Sequence, residues 1–206
     1  MFITFEGIDF SGKTTQAKKL IRRLQDMQVP VMYVREPGGT KISEAIRDIL
    51  LDRKNREMHA NTELLLYMAA RSQIVQEIIK PALQAGNVVI CDRYIDSSMA
   101  YQGYGRGLDL NLVRQLNDFA TTQLKPDMTF LLDISPELAA QRRQRKGHEQ
   151  DRMEIETREF HARIRDGYLK LAEAEPERFV VLNGELAPED IHRLIWQKVK
   201  PRLNQR

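Results

Sequence analysis

The chain has 206 residues, of which 42% are hydrophobic and 30% are charged. This length and composition predict one globular domain, and no apolar run approaches the length of a bilayer span. A single cysteine, Cys91, excludes an intrachain disulfide framework, and four separated histidines give no support to a zinc site. The net charge is +3, but charges of both signs alternate along most of the chain.

The compartment follows from the cysteine content and the first residues. The chain carries Glu6 near its amino terminus in place of a basic region, which argues against a secretory signal. A lone thiol suits a reducing compartment. We therefore expect a cytoplasmic protein without a membrane role.

Five short segments rich in β-forming residues alternate with longer segments of helical periodicity. They cover residues 2–6, 29–35, 88–92, 128–133 and 179–183. Because parallel neighbours need crossover connections, this alternation predicts a five-stranded parallel sheet with helices on both faces. The predicted fold is therefore a three-layer α/β domain over residues 1–206. The longest helical pattern spans 64–79, and we expect Pro81 to end it.

The residues after the first strand match the phosphate-binding pattern G-x-x-x-x-G-K-[ST]. Two glycines let successive N–H groups face an anion, Lys13 can reach the outer phosphates, and the Thr14 hydroxyl can bind Mg²⁺. We expect the phosphates of a nucleoside triphosphate to bind here. The donor-binding residues are then Gly7, Ile8, Asp9, Phe10, Ser11, Gly12, Lys13, Thr14 and Thr15.

A second candidate position follows the third strand, because ligands of parallel sheets bind at the carboxyl ends of the strands. There Asp92 offers a carboxylate for the magnesium shell, and Arg93 offers a guanidinium for a second phosphate. This pairing suits phosphoryl transfer, although a local ion pair explains it too. No Asn-Lys-x-Asp guanine-binding motif occurs, which argues against a GTPase switch.

Six motifs make the chain resemble the thymidylate kinases over nearly its whole length. They are Phe5-Glu6-Gly7-Ile8-Asp9, Arg35-Glu36-Pro37-Gly38-Gly39-Thr40, Ala69-Ala70-Arg71-Ser72-Gln73, Asp92-Arg93-Tyr94-Ile95-Asp96-Ser97-Ser98, Ala100-Tyr101-Gln102-Gly103 and Asp151-Arg152-Met153-Glu154. The resemblance implies a P-loop nucleoside monophosphate kinase fold with a small lid. It also implies transfer of the γ-phosphoryl group of ATP to dTMP, giving ADP and dTDP, with Mg²⁺ held by Thr14 and Asp92.

The resemblance further implies roles at the acceptor. Asp9 is expected near the sugar hydroxyl of dTMP and a metal-linked water, and Arg93 between the donor and acceptor phosphates. Arg71 is expected to point to the acceptor phosphate or base, with Tyr67 one turn earlier stacking on thymine.

The rest of the expected acceptor site reads the base and the sugar. Ser98 and Gln102 are matched to the pyrimidine edge, and Tyr101 to the sugar, where it would exclude a ribose hydroxyl. The remaining acceptor residues are Glu36, Pro37 and Arg47, of which Arg47 fits a surface salt bridge equally well.

The charge-dense segment 141–153 is expected to be a mobile lid. The phosphate loop carries no arginine between Gly7 and Gly12, so a lid arginine must neutralise the transferred group, as in members with a basic lid. The candidates are Arg142, Arg143, Arg145 and Arg152, with Arg152 favoured as catalytic, Arg145 second, and Arg142 placed near ATP. Phe10 departs from the family, which usually has a small residue there.

Two other functions stay open from the sequence. One is a kinase of another nucleoside monophosphate, and the other is a nucleotide-regulated nucleic-acid-binding protein, suggested only by a pI near 9.0. For the favoured function the partners are the small molecules dTMP and ATP, without nucleic acid. The resemblance also implies a homodimer, through the 64–79 stretch or a face with Leu110, Val113, Leu116 and Phe119, and both of these also fit an ordinary core.

Overall fold

The computed structural model describes residues 1–147 and 149–203, and in this part of the chain five strands form one parallel sheet. The strands are β1 (Phe2–Glu6), β2 (Val31–Arg35), β3 (Val88–Asp92), β4 (Met128–Asp133) and β5 (Phe179–Asn183), in the order β2-β3-β1-β4-β5. The predicted α/β fold is confirmed. β2 begins two residues later than expected, after Pro30, which has no N–H for the ladder.

The helices fill the connections between strands. They are α1 (Lys13–Asp26), α2 (Lys41–Leu51), α3 (Ala60–Ile74), α4 (Lys80–Gln84), α5 (Ile95–Ser98), α6 (Leu110–Thr121), α7 (Pro136–Lys146), α8 (Arg158–Ala174) and α9 (Pro188–Leu203). Two π-helical turns, Val75–Ile79 and Met99–Gly105, follow α3 and α5. No helix among the described residues is long and apolar enough to cross a membrane.

The expectation that Pro81 ends the long helix is wrong. The π-helical turn Val75–Ile79 passes directly into α4, and Pro81 lies in the first turn of that helix. Because the first turn of a helix needs no N–H donor, proline is tolerated there. The helical path therefore continues to Gln84.

The sheet is covered on both faces because its side chains alternate. Ile3 and Phe5 of β1 pack with α1 and α9, in a core that includes Leu20 and Ile195. Phe2 faces the opposite layer, where α3, α6 and α8 lie. Glu6 also belongs to this second face, and it is fully buried at the carboxyl end of β1.

Half of the predicted lid segment is regular helix. α7 includes residues 141–146, and Ser135 caps its amino end by accepting a hydrogen bond from Leu138 N at 3.2 Å. Alanines and long charged side chains favour helix, so the charge density of this stretch marks an exposed helix surface. His148 lies outside the described residues, and 149–157 is turn and irregular chain.

Candidate active site

The phosphate loop lies between β1 and α1. Gly7 has a φ of 134°, and a Cβ there would lie 2.5 Å from the carbonyl oxygen of Leu132, so only glycine fits. Lys13 begins α1 and folds back to donate to the carbonyl oxygens of Gly7 and Ile8, at 3.0 and 2.9 Å. Burial and neighbouring Arg93 lower the pKa of Lys13 to about 8.

Phe10 has a left-handed backbone, with a φ of 63°. This conformation favours glycine and costs other residues on the order of 1 kcal/mol, which explains why the family usually has a small residue here.

Thr14 and Asp92 meet across the loop. The Thr14 hydroxyl donates to Asp92 Oδ2 at 2.5 Å. Register brings Asp92 to this edge, because it pairs with Phe5 of β1 and with Arg35 of β2. A hydroxyl and a carboxylate oxygen therefore converge beside the loop, and both are ligand types that Mg²⁺ accepts.

Arg93 lies at the centre of the site, and its φ of 73° is strained for a non-glycine residue. Its Nη2 contacts Asp9 Oδ1 at 2.5 Å and Tyr101 OH at 3.1 Å, and its Nη1 donates to Gly7 O at 3.0 Å. Tyr101 OH donates to Asp9 Oδ2 at 3.0 Å. Burial would raise the pKa of Asp9, but Arg93 and Lys13 outweigh it and the net pKa is lowered. Asp9 is therefore ionised.

Behind Arg93 lies a buried carboxylate that the sequence reasoning did not single out. Glu6 accepts hydrogen bonds from Tyr94 N, Ser97 Oγ and Tyr168 OH, at 2.7, 2.6 and 2.9 Å. Ser97 and Tyr168 also accept from Arg93 Nη1, each at 3.3 Å. Desolvation, reinforced by Asp96, raises the pKa of Glu6 to about 7.

Arg71 is fully buried and ties several segments together. Its Nε donates to Glu36 Oε2 at 2.7 Å, and its Nη1 donates to Ser98 Oγ at 2.8 Å and Asn117 Oδ1 at 2.6 Å. Its Nη2 donates to Tyr94 O at 3.0 Å. Burial opposes the charge, but Glu36 outweighs it and the pKa of Arg71 is raised. The guanidinium is thus held in place before any substrate binds.

The structure brings every residue of the expected acceptor set to one cavity, here called the acceptor cavity. Its lining includes Asp9, Glu36, Pro37, Arg47, Tyr67, Arg71, Arg93, Ser98, Tyr101 and Gln102. Arg47 Nη1 donates to Pro37 O at 2.9 Å. Leu51, Ser97, Asp151 and Met153 also line it, and the sequence reasoning did not assign them a site role.

A second cavity, here called the donor cavity, opens over the phosphate loop. Its lining includes Phe10, Gly12, Lys13, Thr14, Thr15, Arg35, Asp92 and Glu154. Asp9, Glu36, Arg47 and Arg93 line both cavities. The two cavities therefore adjoin, with two arginines and two carboxylates at the boundary.

The candidate lid arginines lie in different places. Arg142 Nη2 donates to Gly184 O at 2.8 Å, with longer contacts to Phe10 O and Ser11 O. Arg143 lines a space next to Ile8, Asp9 and Phe10. Arg145 is exposed in the last turn of α7.

Arg152, the favoured catalytic candidate, is not brought to the phosphate loop. It is buried, its Nη1 pairs with Glu63 Oε2 at 2.7 Å, and its Nε donates to Leu50 O at 2.6 Å. It is not among the described residues that line the donor cavity. A catalytic role for Arg152 therefore requires that it leave Glu63.

Comparison with known proteins shows the family of this chain. The sequence model of the family described as "Thymidylate kinase" matches residues 5–195. The chain belongs to the thymidylate kinase family. A thymidylate kinase of Geotalea uraniireducens is 50% identical, over 98% of this chain and 97% of the relative, and one of Symbiobacterium thermophilum is 48% identical, over 98% and 95%.

A solved structure extends the likeness to three dimensions. The crystal structure of thymidylate kinase from Ehrlichia chaffeensis matches with a TM-score of 0.79 and 37% identity, covering 97% of this chain and 98% of that one. The likeness runs over nearly the full length of both proteins. The resemblance first drawn from six motifs is therefore confirmed.

Proposed function

We propose that this chain is a phosphotransferase that moves the γ-phosphoryl group of ATP to the phosphate of dTMP, giving ADP and dTDP. One observation carries the proposal: Arg93 and Asp9 line both the donor cavity and the acceptor cavity. A reaction between two bound phosphates needs two adjoining sites with a cation where they meet. Family membership agrees with this reading.

The acceptor cavity fits a base that carries O4 and an N3–H. Arg71 has five N–H groups, of which four are engaged by Glu36, Ser98, Asn117 and Tyr94, so one remains as a donor. Gln102 donates its Nε2 to Glu63, which leaves its oxygen as an acceptor. Thymine offers the complementary pair, whereas cytosine offers the reverse pair at the same atoms. A buried polar pocket rejects a base that leaves its groups unpaired.

The transfer is an in-line displacement. A phosphate oxygen of dTMP forms a bond to the γ-phosphorus, and the bond from that phosphorus to the bridging oxygen of ADP breaks. Arg93 would hold both anions and offset their repulsion, and Lys13 would bind the outer donor phosphates. Asp9 orients Arg93 through the 2.5 Å contact.

Magnesium is proposed as the metal of the reaction. Thr14 and Asp92 would hold it, since their oxygens already converge and Mg²⁺ takes its other ligands from water and substrate phosphates. When bound, the ion would neutralise charge on the donor phosphates.

We propose that lid arginines complete the neutralisation of the negative charge on the transferred group. Arg142 and Arg143 lie beside the phosphate loop, and Arg145 is exposed at the end of α7. Arg152 stays a candidate that must first break its pair with Glu63. Lid closure over ATP is the step at which these positions would change.

The experiment that tests the function is a coupled assay of ADP release with dTMP, dUMP, AMP, GMP and CMP as acceptors. We expect ADP formation to depend on the acceptor and to be fastest with dTMP. ATP consumption independent of any acceptor, or preference for a purine monophosphate, would contradict the proposal. Salt-sensitive retention on DNA without ADP formation would support the nucleic-acid-binding alternative.

A homodimer is also proposed. Leu112 and Phe119 are exposed on one face of α6, with Phe119 83% exposed, while Val113 is buried in the core. Leu65 of α3 and Ile42 and Ile49 of α2 are exposed as well, and α3 packs against both helices. Exposed apolar side chains on three neighbouring helices fit a contact with a second copy of the chain.

Sedimentation equilibrium of the protein and of Phe119→Glu tests this dimer. We expect the protein to sediment as a dimer and the variant as a monomer, because a charge would be buried at the interface. A monomeric unsubstituted protein would contradict the proposed dimer.

We propose that the protein is located in the cytosol, in keeping with the buried Cys91, which forms no disulfide.

A further inference from the structure

Glu63, in the first turn of α3, is a fully buried carboxylate outside the assigned site. It accepts hydrogen bonds from Gln102 Nε2 at 2.9 Å and from Arg106 Nε and Nη2 at 3.1 and 3.0 Å. Its other contact is Arg152 Nη1 at 2.7 Å. One carboxylate thus holds a residue of the acceptor cavity and two arginines.

The arginines keep this carboxylate ionised. Burial alone would raise the pKa of Glu63, but the hydrogen bonds and charge of Arg106, with Gln102 and Arg152, outweigh it and the net pKa is lowered. An ionised carboxylate only accepts hydrogen bonds. A protonated one could donate, so the arginine pairs determine what Glu63 can do to its third partner.

That third partner is the side-chain amide of Gln102, which has two distinct ends. Only the NH₂ end can face Glu63, because a flipped amide would set its oxygen against a carboxylate oxygen about 2.9 Å away. The amide oxygen is therefore left for the acceptor cavity, which Gln102 lines together with Arg71.

We infer that Glu63 is a positioning residue that sets base specificity, by holding Gln102 with its oxygen toward the acceptor cavity. A base with an N3–H then gains a hydrogen bond, and a base with a bare N3 meets a second acceptor. The inference rests on the proposed function, since it names what selects the base at the proposed acceptor site.

The test is Glu63→Gln, which keeps the shape of the side chain but can donate as well as accept. Gln102 can then turn either end to the cavity. We expect the ratio of kcat/KM for dTMP to that for dCMP to fall about tenfold, the size of one hydrogen bond made or lost. The ratio of dTMP to dUMP should stay within about twofold, because both bases carry an N3–H. An unchanged dTMP to dCMP ratio would overturn the inference.

A double-mutant cycle separates positioning from a general loss of structure. In a Gln102→Leu background there is no amide to orient, so adding Glu63→Gln should leave the dTMP to dCMP ratio within about twofold. A merely structural effect would lower kcat/KM for dTMP and for dCMP by the same factor in either background. Persistence of the ratio change in the Gln102→Leu background would also overturn the inference.

Glu63→Asp is the second variant if Glu63→Gln does not fold. It keeps the charge that Arg106 and Arg152 need but is one methylene shorter, so its contact with Gln102 is weakened. We expect a smaller fall in the same ratio, and full retention would count against the inference. The unsubstituted protein separates the two proposals: if it does not prefer dTMP, the proposed function fails, and if it prefers dTMP while the variants keep that preference, only the inference fails.

Discussion

The donor cavity and the acceptor cavity share Arg93 and Asp9 but are built in different ways. Half of the residues that line the donor cavity belong to one contiguous stretch, residues 9–15, whose backbone shape depends on Gly7 and Gly12. The acceptor cavity is assembled from side chains of at least five segments. Two of the arginines that line it are already in ion pairs, Arg71 with Glu36 and Arg93 with Asp9.

The two constructions suit the different precision that donor recognition and acceptor recognition need. Backbone N–H groups at a helix start suit any polyphosphate, so the donor side needs little from distant residues. A buried base pocket must fix the direction of each hydrogen-bond donor and acceptor. Where such a group is charged, its burial is costly unless the charge is paired. We therefore expect acceptor recognition to depend also on the residues that pair with and orient the polar groups of the cavity.

The largest expected effect comes from removing Arg93, one of the residues that line both cavities. Arg93→Ala should lower kcat about 10³-fold, because its guanidinium would no longer offset the repulsion between the two phosphates. Arg93→Lys should recover only part of this, since it keeps the charge but loses the two-pronged geometry. Steady-state kinetics with both substrates varied is the measurement. A change confined to the KM of one substrate would place Arg93 on one side only.

The next effect separates a buried arginine from an exposed one in the same lid segment. Arg152→Ala should lower the free energy of unfolding by about 3 kcal/mol, because Glu63 loses one partner of a buried ion pair. Arg145→Ala, at an exposed position, should change it by less than about 0.5 kcal/mol. Denaturant unfolding measures both.

The turnover of the same two variants tests the lid. If Arg152 acts on the transferred group, Arg152→Ala lowers kcat far more than it lowers ATP affinity, even at temperatures where the variant is fully folded. Unchanged turnover would leave Arg152 a structural residue and shift the catalytic assignment toward Arg143 or Arg145.

The sequence predicted the strands and the position of the phosphate loop well because both are local patterns. Each strand is a short apolar run, and the phosphate loop is a contiguous motif between a strand and a helix. Pro81 was misjudged because its effect depends on the π-helical turn before it, which no local signal marks. Residues 141–146 were placed in a lid because dense charge resembles a loop as much as an exposed helix.

The acceptor side was predicted only through resemblance, and its supports were missed. Glu63 looks like any helical glutamate, yet its partners Gln102 and Arg106 lie 39 and 43 residues away. Glu6 ends a buried strand, and its partner Tyr168 lies 162 residues away. Such pairs become visible only when the chain is folded, because nothing near either residue in sequence indicates its distant partner.

A smaller effect tests the aromatic wall of the acceptor cavity. Tyr67→Leu keeps an apolar side chain but removes the ring, so the affinity for dTMP should fall about tenfold, the usual scale of stacking one base on an aromatic ring. ATP affinity should not change, because Tyr67 is not among the described residues that line the donor cavity. Calorimetric titration with each nucleotide measures the two affinities, and an equal loss for both would remove Tyr67 from the acceptor side.

The smallest expected effect concerns the pH dependence of stability at Glu6. Its pKa is raised to about 7 from an ordinary value of 4.5, chiefly by burial and then by Asp96, with Ser97, Arg93 and Tyr168 opposing. Between these two pH values the native state holds a proton that the unfolded chain releases, so this group makes stability fall as pH rises, and the loss is complete above pH 7.

Glu6→Gln cannot titrate, so its Tm should lack this decline. Relative to the variant, we expect the Tm of the unsubstituted protein to fall as the pH rises from 5 to 8. Glu177→Gln, at an exposed position, is the matched control and should reproduce the unsubstituted profile. Parallel profiles for Glu6→Gln and the unsubstituted protein would mean that Glu6 is ionised throughout. Arg93 would then lie near a second carboxylate, besides Asp9, that stays negatively charged. The acceptor side would in that case hold one more buried ionic interaction.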